Sequence, residues 1–227
     1  SSTIGASSGF NAYNPYFETE EPKYYDTKSP YTRMFLVWGG NGRAMTRVEF
    51  SRNINPRWNF GFNYRPILVD RQLQRQKGLR QTISHYYDLF TTYKSTNDKY
   101  FLLVNYRRMR HRVTEAGGIA ITPNDPFIEN FNPEGRQLLA STKTEDLRNN
   151  LHVFHQYQLA RPLQVYHAGD LGKQSNKFSN ITSQEPKDFY DSTSAAPDTI
   201  SDNSSLKVFQ NEVGIKGNAA FLFYNFY

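Results

Sequence analysis

Between Arg57 and Tyr64 every second residue is aromatic. Trp58, Phe60, Phe62 and Tyr64 share one parity, and Arg57, Asn59, Gly61 and Asn63 share the other. A strand sends successive side chains to opposite faces, so this segment predicts one aromatic face and one small or polar face. The period of two recurs along the chain, bounded by turn residues. It marks Pro30–Gly39, and Arg43–Ser51, where Val48 and Phe50 oppose Arg47 and Glu49. It marks Thr82–Tyr93, and Lys99–Met109, where Leu102 and Val104 oppose Asn105 and Arg107. It returns in Asn150–Leu159 and, more weakly, in 162–168, 206–216 and 219–227. Arg33 opposes Met34 and Leu36 but shares a parity with Phe35 and Val37, which leaves its face open. No segment keeps a helical period over three turns. Within PEGRQLLASTKTEDLRNN, the span between Pro133 and Asn149 is the one candidate for a short helix.

The connections add a second pattern. Gly40–Gly42, Arg52–Pro56, Lys94–Asp98, Ala160–Arg161 and Gly217–Asn218 are short. Leu68–Gln81, Arg110–Asn149 and Gly169–Ser205 are long and polar. Antiparallel neighbours place successive connections at alternate ends of a sheet, which puts every long connection at one end and only tight turns at the other. A soluble sandwich has no reason to keep that asymmetry, whereas an outer-membrane barrel has short periplasmic turns and longer extracellular loops. The segments also approach the roughly 9–11 residues of a tilted spanning strand. The expected fold is therefore all-β: an antiparallel transmembrane β-barrel, or an open section of one, with about eight to ten strands. The expected division is an N-terminal segment, 1–29, and barrel strands and loops, 30–227.

On this reading Val48, Phe50, Trp58, Phe60, Phe62, Tyr64, Leu102 and Val104 face lipid, with Trp58 and Tyr64 near the two interfaces where aromatic girdles sit. A cation at the lipid midplane costs about 2–4 kcal/mol. Arg47, Glu49, Asn59, Asn63, Asn105 and Arg107 are accordingly expected to face a wet lumen, where charges set ion selectivity or form ion-paired ladders that fill the interior. The bland alternative for the aromatic face is a strand packed into the core of a soluble β-sandwich.

Composition narrows the classes. The chain has 227 residues, 37% of them hydrophobic and 15% aromatic, with 16 Tyr and 17 Phe against 2 Trp. The mean hydropathy of −0.73 excludes a helical membrane protein. Alternating barrel strands escape that test, because only half of each strand meets lipid. The absence of cysteine excludes thiolate metal sites, disulfides and thiol nucleophiles. The net charge of +6 permits an anionic partner, but the basic runs are short and scattered. The start, SSTIGASSGF, has neither a charged n-region nor an apolar h-region, and the chain is expected to be a mature or truncated piece.

At Ser29–Ile67, SPYTRMFLVWGGNGRAMTRVEFSRNINPRWNFGFNYRPI, the chain resembles the β-barrel porins of Bacteroidetes outer membranes. In that family an s-P-y-T strand leads through a Gly-containing turn to a strand ending near S-R/Q-N-I and then to an N-F-G-F strand. TEAGGI (Thr114–Ile119) is similar to the family's E-N-G-G-I at the start of a long external loop, with Ala116 in place of Asn. HVFHQYQL (His152–Leu159) and Phe189–Ile215 resemble later strand and loop segments. Members of the family are longer, so the resemblance implies a partial barrel. It also implies a location in the outer membrane of a Gram-negative bacterium and a pore, and it carries over no ligand or catalytic residue.

Candidate chemistry is thin. His152 and His155 fall on opposite faces of a strand, which argues against a shared metal; no metal or cofactor is expected. In SHYYD, Ser84 and Asp88 share a face that His85 does not, which argues against a triad. TPNDP (Thr122–Pro126) offers too few carboxylates for calcium. The run YRRMRHR, Tyr106–Arg112, could meet lipopolysaccharide phosphates or serve as a solvated loop base. The expected function is passage of small polar solutes by a non-enzymatic outer-membrane porin, with outer-membrane lipid and lipopolysaccharide as surroundings and no nucleic acid. The alternatives are a non-conducting barrel that plugs or accompanies a larger envelope complex, and a soluble β-sandwich binding module.

Overall fold

A computed structural model describes residues 23–40, 42–71, 79–118, 137–139, 141–181, 199–219 and 222–227. Their strands are β1 (Tyr31–Gly39), β2 (Arg43–Asn55), β3 (Trp58–Asp70), β4 (Arg80–Lys94), β5 (Tyr100–Thr114), β6 (Lys143–Ala160), β7 (Leu163–Asn180), β8 (Ile200–Ala219) and β9 (Leu222–Phe226). They form a single 9-stranded antiparallel sheet in sequence order, with β1 and β9 at its open edges. Among the described residues there is no helix and no second sheet stacked on the first. The sandwich alternative is therefore not met. Among the described residues no helix is long and apolar enough to cross a membrane, a test that does not bear on strands.

The alternation places each strand as expected, but β5 to β8 run further toward the long connections than the alternation does. Lys143–Asn149, assigned above to a candidate short helix, is the first part of β6 and pairs with β7 from Lys143↔Ser179 onward. Gly169–Asn180 and Ile200–Ser205, read above as loop, are strand: Gly169–Asn180 pairs with Ile200–Asn211. Main-chain pairing satisfies their backbone groups, and it needs no alternation of polarity when both faces are polar. The long connections shorten accordingly and remain at one end: 71–79, 115–142 and 181–199, beside the tight turn 40–42. The other end has only 56–57, 95–99, 161–162 and 220–221.

Burial separates the two faces. Ser51, Asn59, Ser84, Asp88, Asn105, Asp146 and Asn176 are buried on the face we call inner. Met34, Trp38, Trp58, Phe60, Phe62, Leu89, Leu171, Phe209 and Val213 are exposed on the outer face. This inverts the pattern of a water-soluble fold, in which large apolar groups are buried and isolated exposed ones are incidental.

The register also encodes a lean. Trp58, the first residue of β3, is in line with Tyr93, Leu102, His155, His167 and Val213 on β4 to β8. Val213 lies six residues (219 − 213) before Ala219, the last residue of β8. Bringing the tight turns to one level therefore means a slip of about 20 Å along the strands over five strand spacings of about 4.8 Å, or a tilt of about 40°. Transmembrane barrels tilt their strands by about 35–45°.

At the tight-turn end, Asp98 is the one described non-glycine residue with a left-handed backbone, at φ 58°. Its carboxylate takes Arg57 at 2.8 Å and Lys94 at 3.3 Å. Hydrogen bonds from Arg57 and Lys94 hold its carboxyl below the usual range. A depressed carboxyl pKa adds stability that is present above the unfolded value and lost as pH falls through the folded one. The expected result is a small stability loss on acidification that Asp98→Asn removes, since Asn also tolerates this backbone. Thermal midpoints of both proteins from pH 7 to pH 3 test it.

Candidate functional site

The inner face is a polar ladder built by register. Directly opposed residues share a face, and one row runs Arg33, Glu49, Asn63, Asp88, Arg107, Asn150 across β1 to β6. Arg47 lies two residues from Glu49 on β2 and contacts it at 2.6 Å, while Arg33 stands 3.8 Å away on the other side. The open question about Arg33 is thereby answered: pairing with Glu49 places it on the inner face. Arg107 reaches Asn150 at 3.4 Å. Asn105 donates to Asp88, and Ser51 donates to Asn59 at 3.1 Å.

Sequence reasoning singled out Arg47, Glu49, Asn59, Asn63, Asn105 and Arg107, and the register brings all of them to the inner face. Val48, Phe50, Trp58, Phe60, Phe62, Tyr64, Leu102 and Val104 share the outer face. Outer-face tyrosines stack at the loop side, Tyr64 on Tyr87 at 4.8 Å between centroids. Trp58 and Tyr93 oppose each other at the turn side, where Trp58 Nε1 donates to Thr91 Oγ1 at 2.8 Å.

Several inner-face groups escaped the sequence reading. Asp88 has the parity of Ser84 and opposes Leu89, so its alternation was visible. Asp146 and Arg148 were hidden inside a supposed loop, yet they form an ion pair at 2.8 Å whose side chains are 0% and 4% exposed. Gln174 and Asn176 on β7 oppose them and are buried as well. Near the turn side, His152 Nδ1 meets Asp170 Oδ1 at 2.9 Å. His155 lies on the outer face and contacts His167 at 3.0 Å, so the two histidines of HVFH are separated by the sheet. Among the described residues no group of three or more His, Asp or Glu could hold a metal. Ser84 and Asp88 face inward and His85 outward, where it meets Tyr64, so no triad assembles in SHYYD. Thr122–Pro126, considered for calcium, lies outside the described residues.

The segment before β1 also reaches the inner face. Tyr24 and Tyr25 each pack a ring 5.8 Å from that of Phe90. Thr27 donates its backbone N–H to Asn53 at 3.2 Å, and Asn53 donates to Asp26 at 2.7 Å. Beneath this segment a cavity of about 240 Å³ is lined by Tyr24, Asn53, Asn59, Thr92, Phe101 and Leu103 among others.

A sheet with a polar buried face and an aromatic exposed one is the cross-section of a barrel wall. The family model described as "Putative porin" matches residues 1–227, the whole chain. The chain belongs to this porin family. None of the curated proteins matches it. Family membership agrees with a non-enzymatic, porin-like outer-membrane barrel, and the nine strands are an open section of such a wall.

Proposed function

We propose that this porin-family chain forms part of a barrel wall in the outer membrane of a Gram-negative bacterium and passes small polar solutes. The observation that carries the reading is the segregation of the two faces. Charged rows line one face, and Trp58, Phe60, Phe62, Leu89 and Leu171 stand exposed on the other. In water such an aromatic face is a liability; against acyl chains it is the favoured arrangement. The inner face would be the lumen. Arg33, Arg47, Glu49, Asp88 and Arg107 would tune passage by charge, as rings of charged side chains do in pores.

Residues 23–28 favour a second reading. Tyr24 and Tyr25 occupy space over Phe90 on the inner face, which suits a barrel that is narrowed or plugged and serves a larger envelope complex. Single-channel recording of the full-length protein in planar bilayers separates the two. Ohmic steps are expected, and Arg107→Gln should move the reversal potential in a salt gradient toward cation preference, because it leaves Asp88 in the row without the opposing cation. Silence in bilayers that do contain inserted protein would replace the pore by the plug.

A further inference from the structure

On the outer face, just past the apolar band toward the long connections, lies a row of cations. Arg108 on β5, Asn149 on β6, Lys173 on β7 and Lys207 on β8 are directly in register. The three cations are exposed. Lys173 and Lys207 are immediate cross-strand neighbours, about 5 Å apart at the backbone. Like charges in that position repel and destabilise the pair unless an anion lies between them. The next outward positions add Arg110, Arg112 and Lys177, and the only described acid there, Glu145, already holds Arg110 at 2.9 Å and Arg112 at 3.1 Å. Among the described residues the row therefore keeps an unneutralised positive charge.

The row below it is apolar: Tyr106, Leu151, Leu171 and Phe209, again in register. Leu171 is 52% exposed and Phe209 is 67% exposed. Between these two rows an open groove of about 460 Å³ is lined by Tyr106, Leu151, Leu171 and Phe209 below and by Lys173 and Lys207 above. Tyr106 donates its hydroxyl to Asn149 at 3.1 Å, which fixes one wall. A groove with apolar walls and a two-lysine rim matches a ligand with an acyl chain and a phosphate.

We propose that this groove binds a phosphorylated glycolipid of the outer leaflet, the lipid A part of lipopolysaccharide. Its phosphate sits between Lys173 and Lys207, with Arg108 at the end of the row, and an acyl chain lies on Leu171 and Phe209. The commitment to the outer leaflet rests on the proposed orientation, in which the long connections are extracellular. The phosphate takes charge-assisted hydrogen bonds from both ammonium groups and relieves their mutual repulsion. A free phosphate would satisfy the lysines but would make no use of the apolar wall that adjoins them.

The test uses the full-length protein, folded in detergent and in phosphatidylcholine vesicles with or without bisphosphorylated lipid A. Lipid A is expected to raise the thermal midpoint of the native protein, and dephosphorylated lipid A and inorganic phosphate are not. The double variant Lys173→Glu/Lys207→Glu should fold and show heat-modifiable migration, but bind lipid A at least about tenfold more weakly, as the loss of two hydrogen bonds to a charged group implies. Reversal of Lys99, at the tight-turn end, is the control and should leave binding unchanged. Equal binding by the double variant, or equal stabilisation by the dephosphorylated lipid, overturns the site. Stabilisation by inorganic phosphate alone makes it a free-anion site and overturns the lipid assignment. No response to any of the three leaves the row to another kind of partner, with the same consequence. Insertion into vesicles lacking lipid A tests the membrane reading by itself. A protein that inserts but ignores lipid A refutes only this site; one that does not insert refutes the reading beneath it.

Discussion

Replacing Asp146 with alanine is expected to destabilise the folded protein by about 3–5 kcal/mol, the usual consequence of removing one partner from a buried ion pair. Arg148 approaches the Asp146 carboxylate with both Nε, at 2.9 Å, and Nη2, at 2.8 Å. Arg148 stands in register between Met109 and Gln174 on the adjacent strands, and Met109 is fully buried. Without the carboxylate the cation must stay in that setting or drag the strand toward water. The pair itself contributes little net stability, because taking two charges out of water offsets most of their attraction. The double variant Asp146→Leu/Arg148→Met should therefore recover most of the loss. Midpoints of heat-modifiable migration on semi-native gels, compared across the native protein, Asp146→Ala and the double variant, give the answer. A single variant within about 0.5 kcal/mol of the native protein, the range of an ordinary surface change, would show that the cluster is hydrated and not buried.

Valine at Gly61 is expected to impair assembly. Gly61 on β3 directly opposes Phe90 on β4, and the Phe90 ring lies over the glycine in the space a side chain would take. A Cβ there would also come within 2.5 Å of the Phe50 carbonyl oxygen, which belongs to the backbone of β2 and cannot swing away. Overpacking of this kind costs about 1–3 kcal/mol, and at this position it also pushes apart β2 and β4. Tyr24 and Tyr25 rest on the same ring, so the N-terminal segment should lose its seat as well. Gly169→Ala is the matching control, since a Cβ at that outer-face position meets nothing closer than 3.6 Å. We expect Gly61→Val to lower the refolding yield and the thermal midpoint, with Gly169→Ala within about 0.5 kcal/mol of the native protein. Equal behaviour of the two would mean that Phe90 does not pack on β3. Tyr166 over Gly214 repeats the arrangement between β7 and β8, with a would-be Cβ 2.6 Å from the ring.

Both predictions concern positions that differ in how readable they were. Gly61 sits inside the most regular alternation of the chain, so its face followed from its parity with Asn59 and Asn63. That a ring would cover it depended on which residue of β4 came opposite, and the register decides that. Asp146 and Arg148 lie where polar residues occupy both faces, so no period of two exists to reveal a strand. The same holds for Gly169–Asn180 of β7 and Ile200–Ser205 of β8.

The alternation alone determined the strands of the apolar band, their two faces, and the grouping of the long connections at one end, because lipid-facing positions must be apolar wherever a strand crosses hydrocarbon. It placed Arg47, Glu49, Asn59, Asn63, Asn105 and Arg107 together without saying what each would touch. Only the tertiary structure decided the face of Arg33, the burial of Asp146 with Arg148, the seat of residues 23–28 and the alignment of Lys173 with Lys207. Each of these depends on which residue of one strand stands beside which residue of the next. That choice belongs to hydrogen-bond register between segments distant in the chain, and a local pattern of polarity does not contain it.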